Sequence, residues 1–316
     1  METREKHRAS LVIGTRGSRL ALWQAEWVQR CLQKLAPDLS ITLQRIQTSG
    51  DKIVDVPLAK IGGKGLFVKE IEEALLAGDI DLAVHSMKDV PSVLPDGLAI
   101  LCVPEREDPR DALISRTGQG VEHLAPHANI GTSSLRRQAQ LLYHRSDFQI
   151  HMLRGNLDTR LKKLHDGQFD AIVLAAAGLH RLGWREQITE YLSPTMSLPA
   201  IGQGALGLEG RQDDIFVTNL LAQLEHPPTR MVVDAERAFL TRLEGGCQVP
   251  IGGHAVYRDN QLCLDGLVAS IDGKQMIRDT LSGPLTQAEQ LGMQLAEQLL
   301  DRGGRTILSE VYGHSV

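Results

Sequence analysis

Aromatic side chains are scarce in this 316-residue chain: five Phe, three Trp and four Tyr, 4% of the whole. A surface that stacks nucleic-acid bases needs exposed aromatics and a basic surplus. Here 34 Lys and Arg face 39 Asp and Glu, a formal net charge of −5, so no nucleic-acid partner is expected. Long apolar runs are missing as well. Nothing approaches the ~18 apolar residues of a membrane span. Leu11-Val12-Ile13, which follows the charged N-terminus Met1–Arg8, is too short for a signal-peptide core. The expected compartment is the cytoplasm, without a membrane partner. Cysteine is sparse: Cys31, Cys102, Cys247 and Cys263 lie far apart with no CxxC pair. They read as free thiols in a reducing compartment, and no metal site is expected. Long repeats and low-complexity segments are absent.

What is present is an alternation of strands and helices. The length suits two or three domains. Ser10–Ile13 reads as a strand. Ser18–Leu35 reads as an amphipathic helix with Leu20, Trp23, Trp27, Cys31 and Leu35 on its apolar face. Leu66–Ala77 is a second helix closed by Gly78, and Ile80–Val84 a buried strand. A short strand then ends at Asn129–Gly131. Ser133 or Ser134 can cap a helix running to about Arg145. Phe148–Leu153 is a strand, Asn156 caps the next helix, and Phe169–Ala175 is an apolar strand followed by a small-residue helix. This pattern predicts parallel sheets covered on both faces. The C-terminal part differs. His254–Tyr257, Gln261–Ala269 and Lys274–Leu281 read as antiparallel strands turning at Asp259-Asn260 and Asp272-Gly273, with a helix over about Thr286–Leu300. That is a small α+β domain.

Gly202-Gln203-Gly204-Ala205-Leu206-Gly207 matches GxGxxG, but a dinucleotide site needs a strand before it and a helix after it. Pro199 and the extended Leu206–Glu209 point instead to a crossover between domains. Gly62-Gly63-Lys64-Gly65 lacks Walker A spacing and reads as a mobile loop bearing Lys60 and Lys64. The arginines say more. Arg136, Arg137, Arg145, Arg154 and Arg160 share a stretch with only two acids, Asp147 and Asp158. Any one of them alone is best explained as a solvated helix-face charge. Several at successive strand ends favour a polyanion site, because ligands of open α/β sheets bind there, helix N-termini offer N–H groups to anions, and the guanidinium fork fits carboxylates. Thr15-Arg16-Gly17-Ser18 repeats the arrangement in the first α/β unit, which suggests two units facing a cleft. In His85-Ser86-Met87-Lys88-Asp89-Val90-Pro91 an apolar strand runs into a lysine and an aspartate. A surface turn and a site are equally good readings of that pair. Cys31, Cys102 and Cys263 read as small core residues. Cys247, in Glu244-Gly245-Gly246-Cys247-Gln248-Val249-Pro250, is an accessible loop thiol and a candidate point of covalent attachment.

These segments resemble the porphobilinogen deaminase family. The resemblance rests on Val84–Pro91, Gly131-Thr132-Ser133-Ser134-Leu135-Arg136-Arg137, Leu153-Arg154-Gly155-Asn156 with Thr159-Arg160, Leu198–Gly204, and Glu244–Gly252, in the family's order, over about Leu11 to Tyr312. One departure is Arg19, where the family usually has proline.

The resemblance implies an α/β fold: two periplasmic-binding-protein-like α/β domains with a cleft between them, plus a small C-terminal α+β domain with a three-stranded antiparallel sheet. The implied boundaries are 1–104 with 199–222, 105–198, and 223–316. It implies a transferase that condenses four porphobilinogen molecules, with loss of ammonia, into hydroxymethylbilane. The primer is a dipyrromethane cofactor on Cys247 through a thioether. By resemblance Lys88, Asp89, Thr132, Ser133, Ser134, Arg136 and Arg137 bind the cofactor. Arg16, Ser18, Ser86, Arg154, Arg160, Arg181 and Gln203 hold the substrate and the growing polypyrrole chain. Asp89 is the catalytic carboxylate, stabilising positive charge on the ring nitrogens. A monomer is implied, with its product passing to uroporphyrinogen-III synthase. The competing reading is a two-lobed anion-binding module without catalysis, which leaves Cys247 and the third domain unexplained.

Overall fold

A computed structural model of the chain describes residues 8–52, 65, 67–244 and 249–312. Three sheets organise it. The first has the order β2-β1-β3-β10-β4, with β1 Ser10–Thr15, β2 Ser40–Arg45, β3 Leu82–Ser86, β4 Leu98–Cys102 and β10 Leu206–Arg211. The second has the order β7-β6-β8-β5-β9, with β5 Asp111–Ser115, β6 Asn129–Gly131, β7 Gln149–His151, β8 Ala171–Ala175 and β9 Glu190–Leu192. The third is the antiparallel run β11 Ile251–Arg258, β12 Gln261–Ala269 and β13 Met276–Gly283. The fold is thus two α/β lobes and a C-terminal α+β unit.

The expectation of all-parallel sheets is corrected. β10 runs antiparallel to β3 and β4, and β5 antiparallel to β8 and β9. The cause is the route of the chain. It leaves the first lobe after β4, builds the second lobe, and returns as β10 between β3 and β4. The two crossovers lie against each other. Glu107 N donates to Gly204 O at 3.2 Å. Gly204 has φ +90°, and a Cβ there would sit 2.2 Å from Glu107 O, so only glycine permits this approach.

Eight-residue or longer helices fill the flanks: α1 Arg19–Leu35, α2 Lys69–Ala77, α3 Leu135–His144 and α4 Leu157–His165. The short α5 Ala176–Arg181 and α6 Ile215–Leu221 follow, then α7 Pro227–Arg242, α8 Ala288–Leu299 and α9 Arg305–Tyr312. Ser18, Ser134 and Asn156 cap α1, α3 and α4 with their side-chain oxygens, as short polar residues before a helix do. Gly78 closes α2 with φ +80°, as glycine commonly does at a helix end.

Several boundaries move from expectation. α2 starts at Lys69, and β3 begins two residues late because Asp81 turns the chain in. The Asp81 carboxylate accepts from Val12 N at 2.8 Å and from Arg211 at 3.2 Å, and it also pairs with Arg8. The buried face of α1 is Gln24, Ala25, Val28 and Leu32 rather than the neighbouring stripe of Leu20, Trp23, Trp27, Cys31 and Leu35. Leu35 is 38% exposed, and Cys31 is only half-buried. The offset stripe serves other contacts: Leu20 reaches Gly178 of the second lobe, and Trp27 covers the edge of the first core. Cys263 is also only half-buried, its Sγ 2.8 Å from Ser282 Oγ.

One buried carboxylate is prominent among the groups that dock the third unit. Glu236 on α7 accepts from Arg106 (2.6 and 3.1 Å), Gly202 N (2.6 Å) and Ala255 N (2.8 Å). It therefore ties both crossovers to β11. Breaking a buried pair of this kind typically costs about 3–5 kcal/mol.

A second buried cluster sits within the first lobe. His85 Nε2 lies 2.8 Å from Glu209 Oε2, and Glu72 on α2 lies beside them. Burial, then the Glu209 charge, pushes the Glu72 carboxyl up to about 7, against the pull of His85. The folded state therefore holds this proton more tightly than the unfolded chain. That stabilisation is full below the ordinary glutamate value of about 4.3 and is lost as pH rises toward 7. Glu72→Gln should flatten the dependence of Tm on pH across this window and raise Tm most above pH ~7. Parallel wild-type and variant curves would contradict the assignment.

Candidate active site

Successive strand ends deliver the charged groups. β1 leads into Arg16 and the cap Ser18. β3 ends at Ser86 and passes into a 3₁₀ turn, Met87–Asp89. β6 leads through Thr132 and Ser133 to the α3 cap Ser134, then Arg136 and Arg137. Arg154 follows β7, Arg160 lies in the first turns of α4, and Arg181 ends α5. Parallel pairing of β1 with β3, and of β6 with β7 and β8, places these turns at one end of each sheet.

Six of the groups form one electrostatic cluster. Lys88 is pushed down to about 8 by burial, with Arg137 and Arg136 adding and Asp89 and Asp111 opposing. Arg160 is pushed down to about 10 by burial, with Arg137 and Arg154 adding and Asp89 opposing. Asp89, half-buried, is therefore the carboxylate whose charge both Lys88 and Arg160 feel. Arg181 is lowered to about 10 by burial against the pull of Glu107, and donates to Gly204 O at 2.7 Å. It thus stands at the contact between the crossovers. Arg16 lies with its guanidinium 4.4 Å from the centre of the Phe67 ring.

Arg136 and Arg137 are buried, not splayed into solvent. Both grip Asp111, the first residue of β5. Arg136 donates to its two oxygens at 2.7 and 3.2 Å and to Leu198 O at 2.6 Å. Arg137 Nε donates to Asp111 at 2.9 Å, with Nη1 reaching Val173 O at 2.9 Å. Ser197 Oγ (2.7 Å) and Gln203 Nε2 (3.0 Å) also donate to this carboxylate. Burial opposes its ionisation, but the two guanidiniums prevail and hold Asp111 well below the usual carboxylate range. Of the pair's nitrogens, Arg136 Nε alone is buried without a hydrogen-bond partner among the described residues. A buried donor left unmade is costly, so the site suits a carboxylate ligand that would satisfy it.

The hydroxyls serve local structure first. Ser18 and Ser134 cap their helices. Thr132 Oγ1 accepts from Ser134 N at 3.2 Å, and Ser133 donates to Leu153 O at 2.7 Å. Ser86 Oγ accepts from Gln24 Nε2 at 3.0 Å. The Gln203 amide is taken by Pro109 O, Asp111 and Arg137, so it acts through Arg137. Arg145 does not join the cluster. It pairs with Asp147 at 2.8 Å and donates to the carbonyls of Val121, Glu122 and Leu124. Lys60, Lys64 and Cys247 lie outside the described residues. Arg19 bridges the two lobes: it pairs with Asp158 at 3.3 Å and lies 5.0 Å from the Trp184 ring centre, both in the second lobe.

Two site residues escape the sequence reading. Asp111 is a single acid ahead of the apolar strand Ala112-Leu113-Ile114. Gln24 sits in the buried stripe of α1. The one signal for each is a polar residue adjoining an apolar run.

The description "Porphobilinogen deaminase, dipyromethane cofactor binding domain" matches residues 11–219, and "Porphobilinogen deaminase, C-terminal domain" matches residues 231–301. Proteins named porphobilinogen deaminase are close relatives. That of Syntrophotalea carbinolica is 60% identical, covering 95% of this chain and 96% of its own. That of Pelobacter propionicus is 56% identical over 97% and 98%, and that of Geobacter metallireducens 57% identical over 97% and 96%. Among solved structures, a probable amino-acid ABC transporter extracellular-binding protein from Bacillus subtilis is 10% identical. The match covers 69% of this chain and 90% of that one at a TM-score of 0.43, too low to bear on fold or function.

The two arginines with opposite surroundings make a direct test. Arg145→Gln removes a structural clamp and should lower Tm by a few degrees, about 1–2 kcal/mol, with activity within about twofold of wild type. Arg160→Gln should do the reverse, holding Tm and losing most activity. Equal activity losses in both would contradict the division drawn here.

Proposed function

Because the chain belongs to the porphobilinogen deaminase family, a family of transferases that bind a dipyrromethane cofactor, we propose how its residues share the condensation of four porphobilinogens into hydroxymethylbilane. The observation that carries the assignment is the clustering of Lys88, Asp89, Arg136, Arg137, Arg154 and Arg160 at the strand ends of two lobes. These residues fit the cofactor. Its two pyrroles each bear an acetate and a propionate, and the site supplies buried cations with a donor, Arg136 Nε, that has no partner among the described residues.

Lys88, Arg136 and Arg137 would hold the cofactor carboxylates, with Asp89 toward the pyrrole nitrogens. Thr132, Ser133 and Ser134 set the turn that presents the two arginines. The cofactor, when bound, supplies a nucleophilic pyrrole α-carbon. Arg16, Arg154, Arg160 and Arg181 would receive the carboxylates of incoming substrate, with Ser18 and Ser86 at the same strand ends and Gln203 behind Arg137. The acetate and propionate of each ring give the forks two handles for orientation. Ammonia departs from the substrate's aminomethyl carbon, and the positive charge that develops on its ring nitrogen is stabilised by a fixed carboxylate. Asp89 fills that role: it is half-buried and within electrostatic reach of both Lys88 and Arg160. Cys247 is the proposed attachment point of the cofactor by thioether. The same reading divides the chain into domains 1–104 with 199–222, 105–198, and 223–316. It describes a cytoplasmic monomer whose product passes to uroporphyrinogen-III synthase.

Denatured protein should exceed its sequence mass by a two-pyrrole adduct that maps to the Cys247 peptide, and Cys247→Ala should carry none. Active protein with an unmodified Cys247 would refute the attachment. Asp89→Asn should fold, carry the adduct and lose a factor of about 10²–10³ in single-turnover rate, with Asp89→Glu retaining a small residual rate. A loaded Asp89→Asn protein turning over at the wild-type rate would remove Asp89 from the chemistry.

A further inference from the structure

Asp111 touches no expected position of substrate or cofactor, yet more of the site converges on it than on any other group described above. Its carboxylate is fully buried and accepts from four side chains: Arg136, Arg137, Ser197 and Gln203. They come from two stages of the chain's path. Arg136 and Arg137 open α3. Ser197 lies on the return crossover after β9, and Gln203 further along it. Asp111 itself ends the outward crossover, where Gln203 also grips Pro109 O at 2.6 Å.

We propose that Asp111 is the positioning residue of the site: it sets the guanidinium planes of Arg136 and Arg137 for the cofactor carboxylates and locks that setting to both interlobe crossovers. This rests on the assignment of the two arginines to the cofactor. Two cations on consecutive residues in a buried turn repel each other, and neither could hold a fixed plane beside the other without a shared anion. Asp111 takes the Nη edge of Arg136 and the Nε–Nη2 edge of Arg137. Leu198 O and Val173 O fix the remaining Nη1 directions. What remains on Arg136 is Nε, the buried donor without a partner among the described residues. Asp111 therefore selects which N–H is left for a ligand. Because Ser197, Leu198 and Gln203 belong to the return crossover, a change of lobe angle would be felt at the arginines.

The test is the rate at which primer-free protein acquires its adduct on incubation with porphobilinogen, followed by intact mass, with folding checked by circular dichroism. Asp111→Asn preserves shape and removes the charge. Asp111→Glu preserves the charge and displaces it by about one methylene. Loss of a partner that orients a ligand-holding group costs roughly ten- to a hundredfold in metal sites, and a similar slowing is expected for Asp111→Asn. Asp111→Glu should be slowed less, by up to about tenfold. If Asp111→Asn is recovered unfolded, folded Asp111→Glu decides: slowed loading supports the proposal and wild-type loading overturns it. Arg137→His separates this proposal from the reading beneath it. If Arg137→His loads normally, the arginines do not hold the cofactor and the underlying assignment fails. If Arg137→His stalls while folded Asp111 variants load at the wild-type rate, only the positioning role fails.

Discussion

Two arginines on consecutive residues, both buried, are an arrangement that water cannot screen and that a protein must neutralise. Asp111 offsets one of the two charges, leaving the other for an anionic ligand, and much of the molecule is arranged to keep it there. Its carboxylate binds the start of α3, the outward crossover and the return crossover at once. The repulsion between Arg136 and Arg137 is turned into a rigid joint. A buried ion pair of this type is weak grounds for stability, because desolvation offsets much of its Coulomb attraction. Its value here is directional: it decides which N–H groups face a ligand.

A second carboxylate, Glu236, performs the matching task on the other side of the crossovers, binding Arg106, Gly202 and Ala255. Between the two, residues 106–111 and 197–204 are clamped to each other, to the second lobe and to the third unit. Lys88 and Asp89, on the 3₁₀ turn after β3, lie within electrostatic reach of the arginines of the opposite lobe. Function follows from that placement. A chain of carboxylated pyrroles needs successive cations along one path, and one carboxylate where cationic nitrogens form.

Much of this was legible in the sequence, for identifiable reasons. Caps are local, so Asn156 and the pair Ser133-Ser134 announced their helices, and the structure shows Ser134 as the cap. The arginines were legible because strand ends of open α/β sheets collect ligand groups, and Arg136, Arg137, Arg154 and Arg160 follow two such ends, those of β6 and β7. Asp111 was not, because an acid before an apolar strand is ordinary until its partners 25 to 92 residues away are placed. The hydroxyls of Thr132, Ser133 and Ser134 could not be divided between turn-making and ligand-holding from sequence, since both uses call for the same residue types. Arg145 shared the charge and the neighbourhood of the site arginines and differed only in its partners. The mixed direction of the sheets was hidden for a related reason: β10 enters the first lobe more than 100 residues after β4, and no local pattern records that return. On α1, two apolar stripes lie side by side, and only the second lobe's position shows which one faces the sheet.

The account stands or falls on where the primer carboxylates sit relative to the arginine pair. A crystal structure of the loaded protein measures this directly. The account predicts a primer carboxylate oxygen within hydrogen-bond distance, about 2.7–3.2 Å, of Arg136 Nε, with Asp111 still bound to both guanidiniums. Primer carboxylates placed on other cations, with Arg136 Nε unsatisfied and Asp111 released from the pair, would contradict it.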